Sequence, residues 1–393
     1  MTTSVIRAGG TGVAGVQTTG GDDGALSLKV GPLSTTVEAL SITSAGAATL
    51  ASTLAITGDL TANNFAGRNK IIGGDFTTNP WQRGTSFAAI ANAAYFADRW
   101  KVGHSTGAVV TASKAADAPT AAQAGTFTQH CLSLAVTTAD TSIAAGDYFF
   151  THQTIEGLNA ASFGFGQAGT RYVTLSFWVK GTKTGIHCVA LVNSANNRTY
   201  VAEYTINSTN TWEYKTITIP VDTTGTWLYD TGIGLNVRFV LMSGTTHHAS
   251  ADTWIAGGPL ATSNQVNALD STSNTFKIAL VQLEAGSVAT TFDARSVGTE
   301  LALCQRYYQL AGMGGSYYNA AASQQARFSS TPAVTPRTSP TFTLITSVGV
   351  GNISSVTPSS NNSGATLGMH LISSGGSGVY TDGNYTYSLT AEL

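Results

Sequence analysis

Hydrolysis of a glycan usually needs two carboxylates held about 5–9.5 Å apart. The acidic residues available for that chemistry, Glu156, Glu203, Glu213 and Glu284, fall on separate predicted elements, and no two share a motif. No serine sits in a G-x-S-x-G elbow. The glycine string Ser162-Phe-Gly-Phe-Gly-Gln-Ala-Gly169 follows no strong strand and reads as a loop, not a phosphate cradle. His247 and His248 are adjacent, so their side chains diverge on a strand. His187 reads as a half-buried strand residue. Cys131, Cys188 and Cys304 fit neither a metal spacing nor a disulfide framework, and read as buried small hydrophobes in a reducing cytosol. No catalytic residue, metal or cofactor is therefore expected.

Aromatic surface is what the chain offers in quantity, with 6 Trp, 14 Tyr and 15 Phe. Sugar recognition needs aromatic faces for the C–H side of a pyranose, flanked by polar groups. In the run Thr174–Lys180, Trp178 falls opposite Val173, Leu175, Phe177 and Val179. If that apolar set faces the core, Trp178 faces outward. Tyr200 and Tyr204 share one face of a neighbouring strand, with Glu203 on the other, and Trp254 sits between turns. With Asn193 and Arg198 as hydrogen-bonders, these residues form the candidate stacking set. Burial of the same aromatics in the core is the competing reading. A second candidate set lies near the C-terminal turns: Tyr317, Tyr318, His370, Tyr380 and Tyr385. An inward-facing Tyr385 on the last strand is its alternative.

Strands must position these groups. Residues 173–180 keep strict period two, as a half-buried antiparallel strand requires. Segments Trp212–Ile219, Gly234–Met242 and Phe276–Leu283 repeat the pattern, separated by turn clusters such as Gly181-Thr-Lys-Thr-Gly185. Over more than 200 residues this predicts a two-sheet jelly roll. Before it, residues 1–24 read as a flexible leader. Residues 25–68 carry short apolar units spaced by glycine, which cannot bury themselves within one chain. After it, Val297, Leu301, Cys304 and Tyr308 recur at helical spacing, with Ser296 as N-cap. They would form either the seam of a three-chain neck or a single helix packed on its own sandwich. Residues 313–393 read as a small β-sandwich. The whole is an all-β chain, with 69–294 as the jelly roll and 295–312 as the helical segment.

Only 10% of the 393 residues are Asp, Glu, Lys or Arg, and the net charge is −2 with no basic run. A phosphate-tracking nucleic-acid groove is excluded on that ground. No apolar run approaches the roughly 20 residues of a membrane helix. The N-terminus shows no apolar stretch of a secretory signal, so assembly in a cytoplasm is expected.

The segments Asn69-Lys-Ile-Ile-Gly-Gly-Asp-Phe76, Trp81-Gln-Arg-Gly84, Ala97-Asp-Arg-Trp100, Thr174–Lys180, Val281-Gln-Leu-Glu-Ala-Gly286 and Glu300–Tyr308 together resemble the carbohydrate-binding-module-like domain of phage tail fibres. The strings in 25–68 resemble trimeric fibre shafts. The resemblance implies a homotrimer carried on the virion tail, with its leader docked to a tail or baseplate protein. Its jelly roll or tip would bind a host surface glycan without turning it over. Modules of this kind often hold a calcium near the edge that Asp75 occupies, but the acidic residue expected after Phe76 is Thr77 here, so the resemblance does not secure an ion. An enzymatic tailspike, a structural virion component and a secreted adhesin are the rival readings.

Overall fold

The computed structural model describes residues 17–20, 26–30, 37–42, 48–50, 67–319, 325–348, 353–358, 367–373 and 379–393, with side chains over 67–312, 331–346 and 385–393. The chain divides into two compact units, 1–60 and 61–393.

In the first unit, β1 (Gln17–Gly20), β2 (Leu26–Val30), β3 (Val37–Ile42) and β4 (Ala48–Leu50) pair as an antiparallel meander. Leu28 is in register with Leu40, and Leu40 with Leu50. The short apolar units thus pair in sequence order. The leader residues 1–16 and the side chains of the shaft-like segment lie outside the described residues.

The second unit is built on two six-stranded antiparallel sheets. Its strands are β5 (Ser86–Phe87), β6 (Trp100–Ser105), β7 (Val109–Ala115), β8 (Cys131–Thr138), β9 (Tyr148–Glu156), β10 (Tyr172–Gly181), β11 (Gly185–Val192), β12 (Arg198–Ile206), β13 (Glu213–Pro220), β14 (Ile233–Ser243), β15 (Trp254–Ala256) and β16 (Thr275–Ala285). One sheet runs β13-β10-β16-β8-β7-β5, the other β15-β12-β11-β14-β9-β6. The alternation read along β10 puts Val173, Leu175, Phe177 and Val179 fully inside. Leu235, Val237 and Phe239 of β14 face them from the other sheet, equally buried. Phe177 meets Phe239 edge-on at 5.0 Å, and Trp100 lies 5.2 Å from Phe76 and 6.2 Å from Phe239. Each such side chain contributes roughly 1.5–3 kcal/mol on burial, which makes this aromatic centre a major stabilising element of the sandwich.

The helical segment is one helix, Val297–Gln305, with Ser296 Oγ accepting from the Thr299 amide at 3.4 Å. It packs on its own sandwich. Glu300 accepts from the Gly73 amide, and Arg295 Nη1 donates to the Ile71 carbonyl at 3.1 Å. Ile72, Cys304 and Tyr307 bury one another. This corrects the seam expectation for Cys304 and Tyr308, which are 0% and 7% exposed inside a single chain. The helix ends before Tyr308, which already belongs to a strand, so a helical spacing carried that far does not describe a face. Val297 stands 66% exposed, and Leu301 is half-buried.

Beyond the helix lie β17 (Tyr308–Asn319), β18 (Gln325–Ser330), β19 (Thr341–Val348), β20 (Ile353–Pro358), β21 (Leu367–Ser373) and β22 (Val379–Thr390). They make two three-stranded sheets, β17-β22-β19 and β18-β21-β20. Strand β22 brings the chain back to the sandwich. Ala391 donates to the Tyr307 carbonyl at 2.7 Å, Glu392 pairs with Arg83 and Arg99, and Leu393 accepts from Tyr95 Oη and Lys101 Nζ.

Candidate functional site

Trp178 and the edge strand define the candidate site. Because the odd-numbered residues of β10 fill the core, Trp178 emerges half-buried on the outer face. Its register partner on β13 is Tyr214, 45% exposed, and the two rings lie 5.4 Å apart at 41°. On β16 its partner is Ala279, which brings only a methyl. Two residues further along, Lys180 faces Lys277 across the same strand pair.

Two adjacent ammonium groups need a counter-charge, and Asp117, from the segment after β7, supplies it. Its carboxylate lies 3.0 Å from Lys180 Nζ and 2.6 Å from Lys277 Nζ, and it accepts from Trp212 Nε1 at 3.1 Å. Burial would push the Asp117 carboxyl up. The hydrogen bonds from Lys277, Lys180 and Trp212 outweigh that and hold it at about 2. Asp117 therefore stays ionised, and the pair of lysines keeps a fixed geometry beside the aromatic pair. A carboxyl NMR titration should find the Asp117 midpoint near 2, and back toward the ordinary aspartate range when both lysines are replaced by glutamine. An unchanged midpoint in that variant would remove the lysines as the cause. Its stabilising contribution is complete above the unfolded value of about 3.9 and is lost as pH falls through about 2.

The arrangement can stack one face of a sugar ring and offer N–H donors to its hydroxyls. Of the residues singled out from the sequence, only Trp178 belongs to it. Tyr200 and Tyr204 face the core, 4% and 6% exposed. On β12 the alternate set is Thr199, Val201, Glu203 and Thr205, and the need to keep Glu203 out of the core sends both tyrosines inward. Tyr204 packs edge-on to Phe177 at 5.1 Å. Trp254 is half-buried, donates to the Pro220 carbonyl at 2.6 Å and packs against Tyr200, Trp227 and Phe165. Arg198 holds Asp222 with a two-pronged contact at 2.6 and 2.9 Å. Asn193 is fully buried, accepting from the Asn197 and Arg198 amides to close a turn. These five residues are held by protein contacts and do not join Trp178 on its outer face.

Among the tip candidates, Tyr317 and Tyr318 lie on β17, His370 on β21 and Tyr380 on β22, with Tyr318 and Tyr380 in register. Their side chains lie outside the described residues. Tyr385 is 2% exposed, stacked at 6.3 Å on Tyr387, as the inward alternative expected.

Trp212, Tyr214, Lys180, Lys277 and Asp117 were not in the candidate set. Trp212 and Tyr214, two apart in a strand-like run, carried a readable signal. Asp117 carried none, because it reaches Lys277 across 160 positions. Asp75 accepts from the Thr77 and Thr78 amides, both at 2.9 Å, which makes it the cap of its own turn.

The four carboxylates considered for catalysis are occupied. Glu156 receives Arg306 at 2.6 and 2.9 Å and Tyr307 Oη at 2.6 Å. Glu284 accepts from Thr290 and Gln282, Glu203 from Thr262 and Asn264, and Glu213 from Asn207, Ser208 and Lys215. A recess of about 560 Å³ at Glu203, His248, Thr262 and Asn264 is lined by polar and small residues with no tryptophan or tyrosine. It is thus less suited to stacking a sugar than the Trp178 face.

No protein-family model matches the chain, and no curated protein sequence does. Solved structures that resemble it include the enzymatically active domain of bacteriophage CBA120 tailspike protein 4 (15% identity, TM-score 0.30). That match covers 56% of this chain and 21% of the tailspike's. A family 61 carbohydrate-binding module in complex with β-1,4-galactotriose matches at 12% identity and TM-score 0.27, over 55% of this chain and 97% of its own. A family 11 module from Clostridium thermocellum, in complex with a β-1,3-1,4-mixed-linked tetrasaccharide, matches at 13% identity and TM-score 0.25, over 53% of this chain and 99% of its own. At such distances no residue of theirs transfers to this chain, and the site is read from its own geometry.

Proposed function

We propose that this protein binds a glycan without catalysis, through the outer face of the β13-β10-β16 sheet edge. The observation that carries the reading is the surface pair Trp178–Tyr214 beside the Lys180–Asp117–Lys277–Trp212 cluster. An aromatic pair left on an outer face, next to oriented N–H donors, is the arrangement that ring stacking and hydroxyl recognition both use. The occupied state of Glu156, Glu203, Glu213 and Glu284 supports binding over turnover.

The segments resembling phage tail fibres extend the proposal. The chain acts as a homotrimeric fibre on a virion tail, docked to a tail or baseplate protein through its N-terminal region, with a host-surface glycan as its target. Three weak sites on one fibre would then act together, so that modest single-site affinity gives firm attachment.

The test is attachment of the purified full chain to host cells and to a glycan array, compared with Trp178→Ala/Tyr214→Ala. Each lost stacking surface is worth roughly 0.5–1.5 kcal/mol beyond its area. The double variant should therefore bind single glycans at least tenfold more weakly, at unchanged melting temperature. Equal binding by a folded double variant would overturn the platform. A monomeric native mass would overturn the trimer.

A further inference from the structure

The outer face of the other sheet carries a line of side chains set apart from the main core: Phe150 is buried in a separate apolar cluster with Cys188, Val201 and Val240, and the half-buried Tyr148 packs against it. Tyr148, Phe150 and His152 follow one another at every second residue of β9 and so share a face. Tyr148 stacks on Phe150 with centroids 5.6 Å apart at 16°, and Phe150 lies 5.0 Å from the His152 ring. Across the sheet, His152 is the register partner of Arg238 on β14 and of Lys101 on β6. The Arg238 guanidinium sits 5.0 Å from the Phe150 centroid. Gly103, the partner of Phe150 on β6, makes room for that ring, since a Cβ there would collide with Phe150 Cζ.

Charge on this strip is one-sided. Arg238 Nη1 donates to Asn196 Oδ1 at 2.9 Å, while its Nε is buried without a partner. No carboxylate among the described residues pairs with it. His152, 7% exposed, likewise holds a buried Nδ1 with no partner. Lys101 Nζ donates to the Leu393 backbone oxygen at 2.7 Å and lies 5.0 Å from the Tyr95 centroid. Burial lowers the Lys101 ammonium to about 8, with Arg99 and Arg238 pushing the same way and Glu392 opposing. Burial also holds His152 well below its ordinary value, aided by Lys101, Arg238 and Arg99. His152 is therefore neutral here, and the positive charge resides on Arg238 and Lys101. A buried donor without an acceptor costs free energy that an incoming acceptor would recover.

We infer that this strip binds an acidic saccharide, a sugar ring bearing a carboxylate. The flat carboxylate matches the planar Arg238 guanidinium, half-buried on this face with its Nε lacking an acceptor, as planar forks and planar oxyanions do. The half-buried Tyr148 ring, stacked on the buried Phe150, offers the apolar face that the sugar's C–H side requires. The inference rests on the glycan-binding reading for its class of ligand, but uses the opposite sheet and none of the same residues.

The experiment is calorimetric titration of the full-length protein with an oligogalacturonate and with its methyl ester, which keeps the rings and removes the charge. The acid should bind at least about tenfold more tightly than the ester, as expected for a charge-assisted contact. Arg238→Gln should abolish that difference, and Trp178→Ala should leave it intact. Arg238→Lys, which keeps the charge but not the fork, should narrow it, and serves if the glutamine variant does not fold. Equal affinity for acid and ester would overturn the inference. So would a difference that survives in a folded Arg238 variant, or one that disappears in Trp178→Ala while Arg238→Gln retains it. If the acid–ester difference follows Arg238 but Trp178→Ala/Tyr214→Ala leaves attachment to host cells unchanged, the platform reading fails and this one stands.

Discussion

Arg306→Ala is expected to destabilise the folded chain by about 3–5 kcal/mol, the usual consequence of stranding one member of a buried ion pair. Glu156 is 1% exposed at the end of β9, and Arg306, just past the helix, is the group that neutralises it. Burial pushes the Glu156 carboxyl up, but hydrogen bonds from Arg306 and Tyr307 outweigh this and hold it below the usual range. Its stabilising contribution is thus fully present above the unfolded value of about 4.3 and is lost as pH falls through the lower folded value. In Arg306→Ala the carboxylate stays buried with Tyr307 Oη alone, so its pKa should move up. The deficit, read from denaturant midpoints, should then shrink toward low pH as Glu156 takes a proton. Glu156→Gln/Arg306→Met should be less damaging than Arg306→Ala, because no charge is left buried. A loss under about 1 kcal/mol at neutral pH would place this pair among ordinary surface contacts.

That pair was not legible in the sequence, and the reason is general to this fold. Period-two alternation identifies a strand and splits its residues into two faces, which is why β10, β13, β14 and β16 were located to within a few residues. It does not say which face is inside when both carry large apolar groups. Along β10 the contrast between Val173, Leu175, Phe177, Val179 and Thr174, Ser176, Lys180 settles the matter, and Trp178 came out on the correct side. Along β12 both sets contain apolar residues, and Tyr200 and Tyr204 were placed outward when the structure puts them in the core. The helix could be read from spacing and from its Ser296 cap, but not its partner. What it packs against is the segment 69–73, joined through Glu300, more than 220 positions away. Asp117 and Glu392 are the same case: their partners are set by topology, and a single carboxylate in a loop or tail carries no mark of the cation it will meet.

Glu392 leads to the second large effect. Arg99→Met is expected to cost about 3–5 kcal/mol and to loosen the end of the chain in particular. Arg99 is 1% exposed, its guanidinium lies 3.6 Å from the Tyr307 centroid, and its Nη2 donates to the Thr154 carbonyl at 2.6 Å while Nη1 holds Glu392. One side chain thus ties β9, Tyr307 beyond the helix and the C-terminal segment together. Methionine fills much of the volume but leaves the Thr154 carbonyl without that donor and Glu392 with Arg83 alone. Arg83→Met should cost less, since Asp98 and Glu392 would each keep other donors. Amide hydrogen exchange separates a local effect from a global one. In Arg99→Met, exchange over 385–393 should accelerate more than exchange over β10 or β14, because the latch opens before the sandwich does. Equal acceleration everywhere would mean that Arg99 stabilises the domain as a whole. In that case the return of β22 would be held by its ladder with β17, not by the charges at its end.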